Sequence, residues 1–317
     1  MKIQQTVFGS RNEAELFTKL HSNWSRHFNL WPCLPFLNVF AVDGDEVAPP
    51  EWQVLLKTSI DITLCTRSGN APLMSIEFDG MGHGFSREGK YIQGHPSKDP
   101  HRKLKLDLKL RLAEQVNYPL LVVSYDEKSP IGSGSALTIA DGMIGQIVAK
   151  KDAFEMFEEW LAENQMEDLD PAFHAEWAEY VCEGVNNAQL VADLTWNPIA
   201  KSAVQYEHVA RMKLGIPPKR WEFLYDSQAP SVEGNYLDPG YLDRLKAWVD
   251  TTKKAVRVGC RVEIETPQGR LSETAWVRNI VGHGVDPMGL AKDIATLILY
   301  KRAVEGYGPT EEEALRH

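Results

Sequence analysis

The first part of this 317-residue sequence predicts an α/β fold, a mixed sheet flanked by helices, and the rest predicts an α-rich region with a β-hairpin. Three observations carry the expectation. The first part reads helix, strand, strand, strand, loop, helix, strand, an order that alternates element types around one sheet. Its last strand, Pro119–Tyr125 (PLLVVSY), is a continuous apolar run of the kind buried on both faces. The remainder is mostly helical in pattern, with one pair of alternating segments around a TPQG turn.

Taken in order, Ser10 is a candidate N-cap, and Glu13 at N3 completes a capping box. Together they open an amphipathic helix through Leu16, Phe17 and Leu20. Leu34–Val42, apolar and bounded by proline, is expected to be a strand that ends in the loop DGDEVAPPEW. Val54–Cys65 is rich in β-branched residues and reads as the next strand. The turn RSGNAP then folds it back onto Leu73–Asp79 as a hairpin. Residues 80–100 read as a Gly-punctuated loop, longer than ordinary connections and therefore either functional or mobile. KLKLDLKLRL (Lys103–Leu112) alternates like a strand. It has no β-branched residue and is built from good helix formers, so helix is the reading taken.

KSPIGSGS follows as a linker, placing a boundary that separates residues 1–128 from 129–317. Beyond it, Asp152–Asn164, Pro171–Glu183, Asn197–Leu214, Tyr241–Thr252 and Met288–Val304 read as helices. Leu224–Pro239 is turn-rich, and Val256–Glu265 with Arg270–Val281 forms the hairpin.

Composition bounds the function. Hydrophobic residues make up 43% and charged residues 25%, which excludes a globally disordered or collagen-like chain. No apolar stretch approaches the ~20 residues that span a bilayer, and the N-terminus lacks the apolar core of a signal peptide. Cys33, Cys65, Cys182 and Cys260 are far apart, with no C-x-x-C pair. Cysteine-bound zinc and a disulfide framework are therefore not expected, and a cytoplasmic setting is. The net charge of −10 weighs at first against a polyanionic partner. Its distribution removes the objection: residues 1–128 hold 15 basic and 15 acidic side chains, so the excess acid lies wholly beyond them. Within the neutral part, Lys98–Arg111 carries six Lys/Arg against Asp99 and Asp107.

The chemistry-bearing residues are Glu13 on the first helix, Asp61 and Glu77 interrupting two apolar strands, Asp79, and Lys105 or Lys109 on the later helix. Ionised carboxylates are costly to bury unless paired or bound to a cation. Glu77 and Asp79, two apart, share a strand face. Clustered carboxylates suit a hard divalent cation, and a nearby lysine would stabilise charge on a phosphate.

Residues of about 10–125 resemble a PD-(D/E)XK (restriction-endonuclease-like) nuclease domain, closest to its small Vsr-like branches. The matching text is SRNE (Ser10–Glu13), IDI (Ile60–Ile62), IEFDGMGH (Ile76–His83), LDLK (Leu106–Lys109) and YPLLVVS (Tyr118–Ser124). The resemblance implies a restriction-endonuclease-like mixed sheet and Mg²⁺-dependent hydrolysis of phosphodiester bonds, expected in DNA, with Mn²⁺ as a substitute. Asp61 and Glu77 are then the metal ligands, and Glu13 completes the site or orients the lysine. Asp79 stands where many members carry the catalytic lysine. That lysine is placed on the following helix instead, with Lys109 the first choice and Lys105 the second. Lys98, Arg102, Lys103 and Arg111 are expected to contact phosphates.

Other features read more simply. His83 and His101 are polar loop residues before they are phosphate contacts, and the two Gly-His-Gly triplets are turns. Gly132-Ser133-Gly134 lacks the G-K-[ST] of a P-loop. Cys182 and His174 form no recognisable dyad, and the tryptophans of the second part suit packing better than base stacking. Two competing readings are a nuclease scaffold kept for nucleic-acid binding or assembly, and an interaction protein whose acidic half binds a partner or a second copy.

Overall fold

The computed structural model describes residues 8–42, 47–79, 82–85, 91–93, 101–124, 131, 135–163, 174–225, 243, 257–267, 269–278 and 285–306. The chain divides into two units, Met1–Ala140 and Asp141–His317.

In the first unit, Ser10 caps α1 (Arg11–Trp24) by accepting from the Glu13 amide at 3.2 Å. Glu13 answers one residue further out than a capping box requires, taking the Gly9 amide at 3.0 Å. Leu16, Leu20 and Trp24 line the helix's buried face, one to each turn.

β1 (Asn29–Pro35) lies earlier than expected, and the expected strand Leu34–Val42 is a correction. Pro35 has no amide for a ladder, and Phe36 and Phe40 stack at 4.4 Å, far closer than residues four apart stand in an extended strand. The chain therefore coils into α2 (Phe36–Val39). A second correction concerns the expected loop at APPEW. Its two prolines occupy the first helical positions, where their missing amides are no loss, and open α3 (Pro49–Leu55). The following strand accordingly starts late, as β2 (Ser59–Cys65).

The expected hairpin from β2 to β3 (Pro72–Asp79) is present. Its turn uses positive φ at Gly69 and Asn70. The segment read as a loop contains paired strands, β4 (Gly82–Phe85) and β5 (Tyr91–Gln93); its other residues lie outside those described. KLKLDLKLRL is helical, within α4 (Arg102–Gln115), and leads to β6 (Leu120–Ser124), which is buried throughout.

The main sheet has the order β1-β2-β3-β6, with β3 and β6 parallel and the other pairs antiparallel. A parallel pair needs a crossover, and α4 lies in the one joining β3 to β6. Leu108, Leu112 and Ala113 of α4 pack with Phe36, Phe40, Leu55, Ile60 and Leu120 in one core. Leu104, one turn before Leu108 along the helix, is 44% exposed.

The second unit takes the C-terminal part of α5 (Ile139–Glu163), followed by α6 (His174–Trp196) and α7 (Pro198–Leu214). Asn197 caps α7, and Gly215 ends it in a left-handed conformation. The expected hairpin is β8 (Arg257–Thr266) with β9 (Gly269–Arg278). It gains a third antiparallel strand, β7 (Arg220–Tyr225), that the sequence reading missed. α8 (Pro287–Glu305) closes this unit. Of the helix read at Tyr241–Thr252, Asp243 is described, as helical, and the other residues lie outside those described. Among the described residues, no helix is long and apolar enough to cross a membrane.

Candidate active site

Strands β2 and β3 pair in register from Leu64↔Met74 to Ile62↔Ile76. The next step along both strands brings Asp61 opposite Glu77, and there the ladder gives way to side chains. Asp61 Oδ2 accepts the Phe78 amide at 2.8 Å, and the Asp61 amide donates to the Glu77 carboxylate. Each carboxylate thus holds the other strand's backbone, which fixes both beside the point where the strands part.

α4 supplies the cation. Lys109 Nζ donates to Glu77 Oε1 at 2.7 Å and to the Ser59 carbonyl at 2.6 Å, with its side chain only 7% exposed. One turn earlier, Lys105 lines the same cavity. Arg102, at the start of α4, donates to Asp79 Oδ1 at 2.5 Å. α1 brings Glu13, which is buried and oriented by its bond to the Gly9 amide.

These groups line one cavity of about 510 Å³. The acidic Glu13, Asp61, Glu77 and Asp79 share it with Lys57, Arg102, Lys103, Lys105 and Lys109. Glu77, Asp79 and Lys109 are nearly withdrawn from solvent, whereas Arg102 and Lys103 are 35% and 65% exposed. Acids and Lys109 therefore form the floor, with arginine and lysine toward the mouth.

The electrostatics follow from burial and crowding. Burial, then the charge of Asp61, pushes the Glu77 carboxyl up to about 8 despite Lys109. Burial also raises Asp61, against the Phe78 amide, Lys109 and Arg102. Glu13 is raised by burial and then by Asp61.

All six residues expected to act in catalysis (Glu13, Asp61, Glu77, Asp79, Lys105 and Lys109) line this cavity. Of the expected phosphate contacts, Arg102 and Lys103 line it as well; Lys103 also pairs with Asp107 along the helix. Arg111 is drawn to Glu51 at 2.9 Å and lies off the cavity. Lys98 lies outside the described residues. His101 precedes α4 without capping it.

Two neighbours had no sequence signal. Lys57 reaches the cavity from the turn before β2. Cys33 falls between the Pro32↔Ile62 and Leu34↔Ile60 pairs, beside Asp61, with φ of +52°. Its thiol points to Glu13 Oε1 at 3.7 Å and is pushed up to about 11 by burial and then by Glu13.

The donor set bears on the implied Mg²⁺. Among the described residues, no three His, Cys, Asp or Glu side chains form a ready-made metal cage. Mg²⁺ uses one or two carboxylates and keeps waters or substrate phosphate for its other positions. Hard oxygen donors at Asp61 and Glu77, in a cavity that resists their ionisation, fit that mode. No protein-family model, curated protein or solved structure matches this chain.

Proposed function

We propose that the first unit is a restriction-endonuclease-like nuclease that hydrolyses phosphodiester bonds with Mg²⁺, with DNA as its substrate. The observation that carries this reading is Asp61 opposite Glu77 at the parting of two strands, with Lys109 2.7 Å from Glu77 in the same cavity.

Asp61 and Glu77 would hold the cation, and Mn²⁺ would serve in its place. When bound, the cation supplies Lewis acidity to the scissile phosphate and to the attacking water. The chain's residues do the rest. Lys109 keeps the Glu77 carboxylate aimed, Asp61 is anchored by the Phe78 amide, and Glu13 sets the potential on the α1 side. Lys57, Lys103 and Lys105 draw the polyanionic backbone toward the floor. The water oxygen bonds to phosphorus, and the bond to the leaving oxygen breaks with its electron pair. One water proton ends on the leaving alcohol, while the other stays with the new phosphomonoester or passes to solvent.

The test incubates the protein with supercoiled plasmid, linear duplex and RNA in Mg²⁺, Mn²⁺ or EDTA. Cutting of DNA that needs the cation and disappears in Asp61→Asn and Glu77→Gln is expected. An inactive wild-type protein, or activity unchanged in both variants, overturns the reading.

A further inference from the structure

Two of the α4 cations that line the cavity, Arg102 and Lys109, are hydrogen-bonded to its carboxylates, and the structure gives them different surroundings. Lys109 is buried, and its ammonium donates to Glu77 Oε1 at 2.7 Å and to the Ser59 carbonyl at 2.6 Å. A point charge held on two sides by a carboxylate and a carbonyl is committed to them. Moving it to a substrate would leave buried Glu77 without its cation.

Arg102 stands differently. Its side chain is 35% exposed and lines the cavity. Among the described residues its hydrogen bond is the one to Asp79 Oδ1, which leaves the other N–H groups of the fork uncommitted. Asp79 is 5% exposed and sits at the end of β3, two residues beyond Glu77, so the guanidinium is tethered to a rigid strand. It also lies close enough to Asp61 to favour that residue's ionised form. A planar fork pinned at one edge, with its other edge available, matches the two non-bridging oxygens of a phosphate.

We infer that Arg102 is the group of this chain that contacts the scissile phosphate, that Asp79 positions Arg102, and that Lys109 positions Glu77 rather than touching substrate. The inference rests on the nuclease reading of the cavity. In hydrolysis the charge grows on the non-bridging and leaving oxygens, where a preorganised guanidinium acts more strongly than in the ground state. Arg102 therefore weighs more on turnover than on binding.

The experiment compares wild-type, Arg102→Ala, Arg102→Lys, Asp79→Asn and the Asp79→Asn/Arg102→Ala double variant on a fluorescein-labelled 30-base-pair duplex (roughly the length that covers a protein footprint). Single-turnover cleavage in Mg²⁺ gives the rate, anisotropy in EDTA gives Kd, and thermal melts check folding. Arg102→Ala is expected to lose about a hundredfold in rate with Kd raised less than about fivefold, and lysine to recover part of the rate. Asp79→Asn is expected to lose about tenfold, and the double variant to be no slower than Arg102→Ala, since Asp79 acts through the arginine. A rate for Arg102→Ala close to wild type, with Glu77→Gln inactive, overturns the arginine assignment alone. A raised Kd with unchanged rate, or losses that multiply in the double variant, does the same. A wild-type protein that cuts neither plasmid nor duplex overturns the nuclease reading and this inference with it. Should Arg102→Ala fail to fold, Arg102→Lys and the double variant decide the same comparison.

Discussion

Lys109 Nζ lies 2.7 Å from Glu77 Oε1, with the two side chains only 7% and 11% exposed. Removing one partner of such a pair leaves the other buried without its hydrogen-bonded counterpart, which costs more than the pair contributes. Lys109→Met is expected to lower stability by about 3 kcal/mol in urea denaturation. Adding Glu77→Leu to Lys109→Met is expected to recover most of that loss. A double variant as unstable as the single one would show that the lysine stem, rather than its charge, matters for packing.

The raised Glu77 carboxyl makes stability depend on pH in a defined direction. Its value in the folded protein is about 8, against an ordinary 4.5, so between these values the folded state holds a proton that the unfolded chain has released. The corresponding stability is complete below about pH 4.5 and is lost as pH rises through about 8. In EDTA, the stability difference between wild type and Glu77→Gln should therefore shift against wild type from pH 5 to pH 8 (roughly the interval between the two values). A flat difference across that interval would contradict the burial of an ionisable Glu77.

Cation binding should run the other way with pH, because a carboxylate must release its proton to become a ligand. Titrating Mg²⁺ or Mn²⁺ is expected to raise the melting temperature of the wild-type protein, more at pH 8 than at pH 6. Asp61→Asn and Glu77→Gln should each abolish the rise. Calorimetric titration checks the same point without reference to catalysis, and a rise that persists in both variants would place the cation elsewhere.

In the second unit, Gly145 of α5 approaches the start of α7 closely. A Cβ there would stand 2.6 Å from Asn197 Cα and 2.8 Å from the Trp196 carbonyl, both backbone atoms that cannot swing aside. Gly145→Ala is expected to cost roughly 1–3 kcal/mol, read as a lowered melting temperature. Asn197 is itself buried, and its side chain accepts the Ile199 and Ala200 amides at 3.1 and 3.2 Å. Asn197→Ala should cost about 1–2 kcal/mol, and Asn197→Asp should keep most of the cap.

Much of the candidate site was legible before any coordinates, for local reasons. Asp61 and Glu77 each interrupt an apolar strand, and such an interruption is visible residue by residue. The RSGNAP turn between them sets a hairpin, and a register shift between Leu64 and Cys65 then brings them opposite each other. α4 was readable because propensity over its length outweighed a period-2 pattern.

Where the reading failed, a contact distant in sequence was decisive. The pairing of β1 with β2 selects Asn29–Pro35 for the sheet and leaves Phe36–Val39 to coil onto the core beside Leu55 and Leu112. β7 is recruited by β8, more than thirty residues later in the chain.

The sequence by itself determined the mixed α/β character of the first unit, the hairpin that carries Asp61 and Glu77, and the helix that carries the cations. Each depends on turn chemistry, capping or periodicity within a short span. Only the tertiary structure decided between Lys105 and Lys109 as the partner of Glu77, tied Arg102 to Asp79, drew Arg111 away to Glu51 and set Cys33 beside Asp61. Which face of α4 meets the sheet follows from packing Leu108 and Leu112 into the common core, and that face determines which charged side chain is buried with the carboxylates and which remains at the mouth.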